Sequence, residues 1–121
     1  MNIEELYNFC LSISGAEASS PFGENTIVMK VCGKMFALIP LDGDEVSVSL
    51  KCDPLKAQEL RQHDSSVTAA YHMNKKYWNT IQLNHTMEDE AVKFWIRHSV
   101  EEVLKKLPKR VQNDYYGAIQ G

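Results

Sequence analysis

Apolar residues recur at helical spacing near the amino terminus and again, over a longer stretch, near the carboxyl terminus. The first stretch predicts a helix that begins after Asn2 as its N-cap and ends at Gly15. The second predicts the longest helix, which opens with a capping box of Thr86 and Asp89 and runs to Leu107. The stripes consist of Ile3, Leu6, Tyr7, Cys10 and Ile13 in the first helix and of Val92, Trp95, Ile96, Ser99, Val100, Val103 and Leu107, apolar except for Ser99, in the second.

Much of the chain between these helices has the composition and alternation of β-strands. The segments "TIVMKVC", "KMFALIPL" and "EVSVSLK" predict an antiparallel meander, with turns at Gly33 and at Asp42-Gly43-Asp44. In the third segment valine and leucine alternate with serine and lysine, so one face of the sheet is expected to be packed and the other solvated. A further strand is predicted over "YWNTIQL", and "EASSPFGEN" before the meander is predicted to be a loop.

Two shorter helices complete the prediction. "CDPLKAQELRQHD" has Asp53 as an N-cap and Pro54 at the first helical position, which is the preferred start of a helix. Pro108 ends the longest helix and begins a short last helix through Tyr115. The order of elements indicates an α+β fold, an antiparallel β-sheet with helices packed on one face, formed as a single domain over residues 1–121.

Composition places the chain among globular proteins. Its 121 residues are 44% hydrophobic and 24% charged, which is typical of one folded domain. No apolar run approaches the roughly 20 residues that span a bilayer, and no signal peptide is recognisable, so we expect a cytoplasmic protein outside the membrane. Cys10, Cys32 and Cys52 are odd in number and widely spaced, and we interpret them as buried, reduced residues.

The charge distribution limits the possible partners. A formal net charge of −3 argues against a general polyanion-binding protein, which is usually basic. Residues 1–50 contain two lysines and seven carboxylates, a charge of −5, so the remaining residues carry +2. Much of that positive charge lies near Lys75–Lys76 and Lys105–Arg110. The chain therefore allows a modest basic patch on an acidic protein.

Four sequence blocks together resemble the MmcQ/YjbR family of small bacterial proteins. They are "SPFGENTIVMKVCGKMFALI", "VSLKCDPLKAQELR", "YHMNKKYWNT" and "LPKR" after the longest helix, and in this order they cover nearly the whole chain. The resemblance implies a CyaY-like α+β domain. It also implies DNA binding, because paired β-hairpins in this family have been likened to a double wing. The chain departs from the family pattern at Ala69-Ala70, where Pro-Gly is expected, and at Tyr77, where histidine is common.

The block "YHMNKKYWNT" supplies the candidate site for nucleic-acid binding. Lys75 and Lys76 are predicted to contact phosphates, while His72, Asn74 or Tyr77 meet sugars or bases. If the two hairpin regions project together, basic residues of the meander join the same surface. The additional residues of that surface are Lys34 and Lys51.

The same block also has a structural interpretation. Trp78 and Met73 would fill the gap between the sheet and the longest helix, because large apolar side chains at the start of a strand usually belong to the core. Asn74 would then form a turn, and Lys75 and Lys76 would remain solvated. The sequence leaves both interpretations of the lysines open.

The sequence contains no convincing catalytic or metal-binding pattern. It has no G-x-G-x-x-G or P-loop motif, and "HDSS" at His63–Ser66 is typical of a helix end and turn. His85 and His98 have no metal-ligand spacing, and His98 is predicted to face solvent. Asp42, Asp44 and Glu45 are interpreted as a solvated turn. We therefore predict a non-enzymatic protein without a cofactor or metal.

A protein-binding adaptor is the alternative function. The face carrying Ser47 and Ser49 is small and polar, and the tail "DYYGAIQG" is either packed on the domain or available for docking. We expect a monomer or a weak dimer in either case. Nucleic-acid binding would weaken steeply with salt, whereas association with a protein partner through apolar contacts would not.

Overall fold

The computed structural model describes residues 1–21, 23 and 25–120. Part of the predicted loop "EASSPFGEN", Phe22 and Glu24, lies outside the described residues. The helices are α1 (Ile3–Ser12), α2 (Pro54–His63), α3 (Asp89–Lys105) and α4 (Lys109–Gln120). The strands are β1 (Glu17–Ser19), β2 (Thr26–Val31), β3 (Lys34–Pro40), β4 (Ser47–Lys51), β5 (Val67–Ala69) and β6 (Trp78–Gln82).

The six strands form one antiparallel sheet in the order β1-β2-β3-β4-β6-β5. Helix α3 packs across β2, β3 and β4, and α2 packs against β5 and β6. The register pairs Ala37 with Leu50 and Leu50 with Asn79, so these three residues share the helix-covered face. The next register line, Leu38, Ser49 and Thr80, belongs to the opposite face. The predicted α+β architecture is therefore confirmed.

The core lies between the sheet and α1 and α3. Its centre is made by Phe36, Ile39 and Val48 from the meander, packed against Leu6 of α1 and Ile96 of α3, all of which are fully buried. Burying such side chains stabilises the fold by about 1.5–3 kcal/mol each relative to exposure. In the third strand of the meander, Val48 and Leu50 are both buried in this core, so the alternating apolar positions predicted there are the ones that face the helices.

The local signals at the helix starts of α1 and α2 act as predicted. The Asn2 side chain accepts a hydrogen bond from Glu5 N–H at 2.8 Å, and Glu5 completes a capping box by accepting from Asn2 N–H at 3.0 Å. Asp53 caps α2 by accepting from Lys56 N–H at 3.2 Å. Both caps satisfy backbone donors that a helix start leaves without intrahelical partners.

The predicted capping box at α3 is wrong. The N-cap of α3 is Glu88, which makes no capping hydrogen bond through its side chain. The Thr86 hydroxyl instead donates to the carboxylate of Asp64, at the end of α2. This carboxylate also accepts from the hydroxyl and backbone N–H of Ser66. Burial by itself would raise the pKa of Asp64, but these hydrogen bonds together lower it.

Three further expectations are corrected by the structure. His98 is buried rather than solvent-facing, and Cys32 is exposed in the turn before Gly33, where both residues have positive φ values of 50° and 76°. Two positive φ values in succession are typical of the tight turns that join hairpin strands. Two short strands, β1 and β5, were not predicted; each has only three residues and lies at an edge of the sheet.

The last helix is longer than predicted and packs back on the domain. The Tyr115 hydroxyl donates to the Ser14 carbonyl at 2.8 Å, and its ring lies beside Gly15, which has a φ of 75°. The tail was predicted either to pack on the domain or to be available for docking, and Tyr115 packs on the domain. Tyr116 and Ile119 on the same helix remain exposed.

Candidate nucleic-acid interface

The turn between β5 and β6, residues 71–77, is organised by Asn74. The Asn74 carbonyl accepts hydrogen bonds from the N–H groups of Tyr77 and Trp78, each at 3.0 Å. Its side-chain oxygen accepts from Lys76 N–H at 3.0 Å. A side-chain oxygen that bonds a backbone N–H two residues later makes an Asx-turn, for which asparagine is well suited. Asn74 thus performs the structural task that the sequence suggested for it.

Arg61 of α2 ties this turn to the rest of the protein. Its Nη1 donates to Asn79 Oδ1 at 2.6 Å and to the Lys75 carbonyl at 3.4 Å. Asn79 is buried on the helix-covered face of β6 and donates to the Ala57 carbonyl of α2 at 3.2 Å. The position of Lys75 is therefore coupled to α2 through one guanidinium group. Sequence inspection did not identify Arg61 as a positioning residue.

The two lysines of the turn are exposed and lie over aromatic rings. Lys75 Nζ lies 5.3 Å from the ring centroid of Tyr71, and Lys76 Nζ lies 5.6 Å from that of Tyr77. Cation–π contacts of this kind restrict a lysine without neutralising its charge. None of the ion pairs formed among the described residues involves either lysine. Both ammonium groups are thus available to an anion.

A second group of lysines surrounds Trp78. Lys34, Lys51 and Lys106 line a depression of about 330 Å³, here called the lysine depression. Its apolar lining is Met35, Trp78, Val103 and Leu107. The three lysines also take no part in the ion pairs of the described residues. The predicted residues Lys34 and Lys51 are therefore brought together, and Lys106, which the sequence did not single out, joins them from the end of α3.

The lysine depression and the turn are neighbours through the β4–β6 pairing. Lys51 is the register partner of Trp78, and Cys52 N–H donates to the Tyr77 carbonyl at 2.7 Å. Lys76 precedes that carbonyl by one residue. The start of β6 thus lies between the two lysine groups. Trp78 itself is 93% buried, as predicted for a core residue, although it also lines the depression.

His72 and Met73 lie on a different feature, a cavity on the sheet face that the helices leave uncovered. This sheet-face cavity has a volume of about 510 Å³. It is lined by Thr26, Leu38, Pro40, Ser49, Ala70, Tyr71, His72, Met73 and Thr80. Met73 therefore does not fill the gap between the sheet and α3, because the turn folds over the opposite face. The Ser49 and Thr80 hydroxyls hydrogen-bond to each other at 2.8 Å within this lining.

Two buried cysteines and a buried histidine have shifted pKa values. Burial raises the pKa of Cys10 to about 12 and that of Cys52 to about 11, so both remain thiols at neutral pH. Burial lowers the pKa of His98, whose Nε2 accepts from Asp53 N–H at 3.1 Å. Over residues 1–21, 23 and 25–120, no cluster of histidine, cysteine and carboxylate side chains has the arrangement of a metal site.

The fold and its surface define a class of protein: a small α+β domain with a six-stranded antiparallel sheet, one face of which is covered by helices. The YjbR family model matches residues 11–101, and the chain belongs to the YjbR family. This finding confirms the resemblance seen in the sequence blocks.

Relatives of known sequence and structure agree with this assignment. The Escherichia coli K12 protein YjbR, described as uncharacterized, is 31% identical over 109 residues, covering 90% of this chain and 92% of its own. The E. coli O157:H7 protein YbdF, also described as uncharacterized, is 30% identical over 109 residues, covering 90% and 89%.

Solved structures share the fold. The crystal structure of Deinococcus radiodurans DR2400, a DUF419 domain, has a TM-score of 0.85 at 33% identity and covers 96% of this chain and 88% of that one. A Pseudomonas syringae crystal structure has a TM-score of 0.71 at 23% identity over 82% of this chain and 96% of that one, a likeness of fold. Among the described residues of our chain, no helix combines the length and apolar character needed to cross a membrane.

Proposed function

We propose that this protein binds nucleic acid weakly and with little sequence preference, through the lysines on either side of the start of β6. The observation that carries this proposal is the convergence of Lys34, Lys51 and Lys106 on one depression, next to the turn that bears Lys75 and Lys76. No described carboxylate pairs with these five lysines. The proposed role is binding without catalysis.

The chemistry of the surface supports a phosphate backbone as the ligand. Each lysine that meets a phosphate releases a condensed counterion, and several such contacts are needed before the affinity becomes useful. Lysine ammonium groups on flexible stems follow a backbone without reading bases, so they supply affinity rather than specificity. The net charge of −3 repels a polyanion from the rest of the molecule, and we expect dissociation constants in the range of about 10⁻⁶–10⁻⁴ M.

Fluorescence anisotropy with a labelled oligonucleotide tests this function, at low and then at physiological salt. Lys75→Glu/Lys76→Glu should reduce binding at least tenfold, and adding Lys51→Glu should reduce it further. The matched control is Lys56→Glu/Lys93→Glu, which makes the same change of charge on helices α2 and α3 and should reduce binding less than threefold. Equal losses in both double variants would show that only net charge matters and would contradict the proposed surface.

A second candidate is the protein-binding adaptor. Tyr116 and Ile119, which are 43% and 49% exposed on α4, favour it because an apolar helix face can dock on a partner. This function predicts association that changes little between low and high salt. Removing the exposed side chains with Tyr116→Ser/Ile119→Ser should abolish such association and leave the oligonucleotide titration unchanged.

A further inference from the structure

The sheet-face cavity combines an apolar wall with a polar floor. Leu38 and the paired hydroxyls of Ser49 and Thr80 come from three neighbouring strands on one register line. Tyr71 and Met73 contribute from the turn that folds over them. A volume of about 510 Å³ falls within the range of sites that hold small organic groups.

The floor has unused hydrogen-bonding capacity. A hydroxyl carries one donor and accepts two hydrogen bonds, and the bond of 2.8 Å between Ser49 and Thr80 uses only one donor. One hydroxyl hydrogen and several lone pairs therefore remain for a molecule in the cavity. The edges of nucleobases present both donors and acceptors, which such a pair can meet without strict discrimination.

The wall provides flat and polarisable surfaces. Tyr71 is 78% exposed, an unusual state for a large ring, and Met73 and His72 line the same cavity. Aromatic side chains stack on unpaired bases, and methionine sulfur also contacts ring systems favourably. An exposed ring next to a cavity is therefore suited to a planar ligand.

The charge beside the cavity favours a ligand that carries a phosphate next to its planar part. None of the described residues that line the cavity is acidic, and Lys75 Nζ lies over the ring of Tyr71 at 5.3 Å. A ligand with its planar part in the cavity would place an attached phosphate near this ammonium group. A base that is stacked and paired within a duplex cannot enter such a site, whereas a base of a single strand can.

Resting on the proposed function, we propose that the sheet-face cavity takes one unstacked base of a single-stranded nucleic acid while Lys75 contacts its phosphate. The protein is then a single-strand binder, for which duplex is a poor ligand. The base lies between the wall of Tyr71 and the hydroxyl pair of Ser49 and Thr80.

The test compares a labelled single-stranded oligonucleotide with a blunt-ended duplex made by annealing it to its complement, at equal salt. The single strand should bind at least tenfold more tightly. Thr80→Ile, which fills the cavity floor and leaves the charge unchanged, should reduce single-strand binding about tenfold at an unaltered salt slope. The matched control is Thr68→Ile, which places the same side chain at the exposed position of β5, in register with Thr80 but outside the cavity lining.

The outcomes separate this inference from the proposed function. Equal binding of single strand and duplex, with a clear salt slope and no effect of Thr80→Ile, would overturn the cavity site and leave the lysine surface standing. No binding of either oligonucleotide at low salt would overturn both. If circular dichroism shows that Thr80→Ile does not fold, Ser49→Ala replaces it, because this change removes a floor hydroxyl without adding volume. Weaker single-strand binding by Ser49→Ala would support the cavity site, and unchanged binding would contradict it.

Discussion

At the scale of the residue, two adjacent polar side chains of α3, those of His98 and Ser99, form hydrogen bonds with backbone groups of the strands and of the N-cap of α2. The Ser99 hydroxyl accepts from Lys51 N–H at 2.9 Å and donates to the Phe36 carbonyl at 2.5 Å, which joins β3 and β4 from above. His98 Nε2 accepts from the N–H of Asp53, the N-cap of α2. Because Ser99 and His98 are buried, water cannot replace either of them.

Ser99→Ala should lower the free energy of unfolding by about 1–3 kcal/mol, because it leaves a backbone donor and a backbone acceptor without partners in the core. Urea denaturation followed by circular dichroism measures this loss. The exposed Ser65→Ala serves as control and should change the same quantity by less than about 0.5 kcal/mol. If Ser99→Ala also lowered the free energy of unfolding by less than about 0.5 kcal/mol, the two backbone groups would have other partners, and this prediction would be contradicted.

His98 should make stability depend on pH. Burial lowers its pKa from the ordinary 6.5 and outweighs the opposing effect of Glu102, so the unfolded chain takes up the proton more readily. The contribution of His98 is therefore complete above the unfolded pKa of about 6.5 and is lost as the pH falls toward the folded pKa. Urea denaturation between about pH 8 and pH 5 should show this decrease, and His98→Gln should flatten it. An unchanged slope in that variant would assign the effect to another group.

At the scale of the element, the turn of residues 71–77 is short but has three supports. Asn74 organises its backbone, the β5–β6 pairing holds its ends, and Arg61 anchors it to α2. A basic turn on a long, unanchored loop would lose conformational entropy on binding, which lowers affinity. The local rigidity of this turn therefore assists the proposed contact with phosphates.

Arg61→Met should loosen the turn while retaining the apolar stem of the side chain. It removes the hydrogen bonds to Asn79 and to the Lys75 carbonyl. We expect amide hydrogen exchange in residues 71–78 to accelerate about tenfold by mass spectrometry, with little change in α1. Uniform acceleration over the whole chain would indicate global destabilisation instead and would contradict a local role for Arg61.

At the scale of the whole molecule, acidic and basic residues are separated along the chain. Most carboxylates of residues 1–50 lie outside the meander strands, whereas five lysines that form no ion pair among the described residues lie around the start of β6. An overall acidic protein with a local basic surface attracts a polyanion only at short range, because the mean field is repulsive and salt screens it over about 10 Å. Weak and salt-sensitive binding is the expected result.

The steepness of that salt dependence is a quantitative prediction. Five lysines that each neutralise one phosphate of a single strand give a slope of log K against log salt of at most about −3.5. Anisotropy titrations at four or more salt concentrations measure it, and Lys75→Glu/Lys76→Glu should reduce its magnitude by about 1.4 or more. A slope near zero would exclude phosphate contacts as the source of affinity.

The fold was predictable at the places where a local pattern repeats. The three strands of the meander, the strand at Trp78 and helix α3 follow from composition and periodicity, and helices α1 and α2 follow from their caps as well. The three-residue strands β1 and β5 were missed because a strand that short contains no complete period, and its identity depends on the neighbour that pairs with it.

The candidate site was predictable only in part. Lys34, Lys51, Lys75 and Lys76 could be proposed from charge and from the family blocks, and the structure places them on either side of β6. Lys106 and Arg61 were missed, because a lysine at a helix end and an arginine within a helix have the same sequence signal whether they face solvent or a neighbouring strand.

The sequence by itself determined the order of the longer elements, the packed face of the third meander strand and the family, because periodicity, caps and motif blocks are local properties of the chain. Tertiary structure alone decided that His98 is buried, that Met73 lies over the sheet rather than under α3, and that Lys106 joins Lys34 and Lys51. These facts depend on strand order and on the direction in which a turn folds. Both are set by the packing energy of the whole core, in which residues far apart in sequence contribute together.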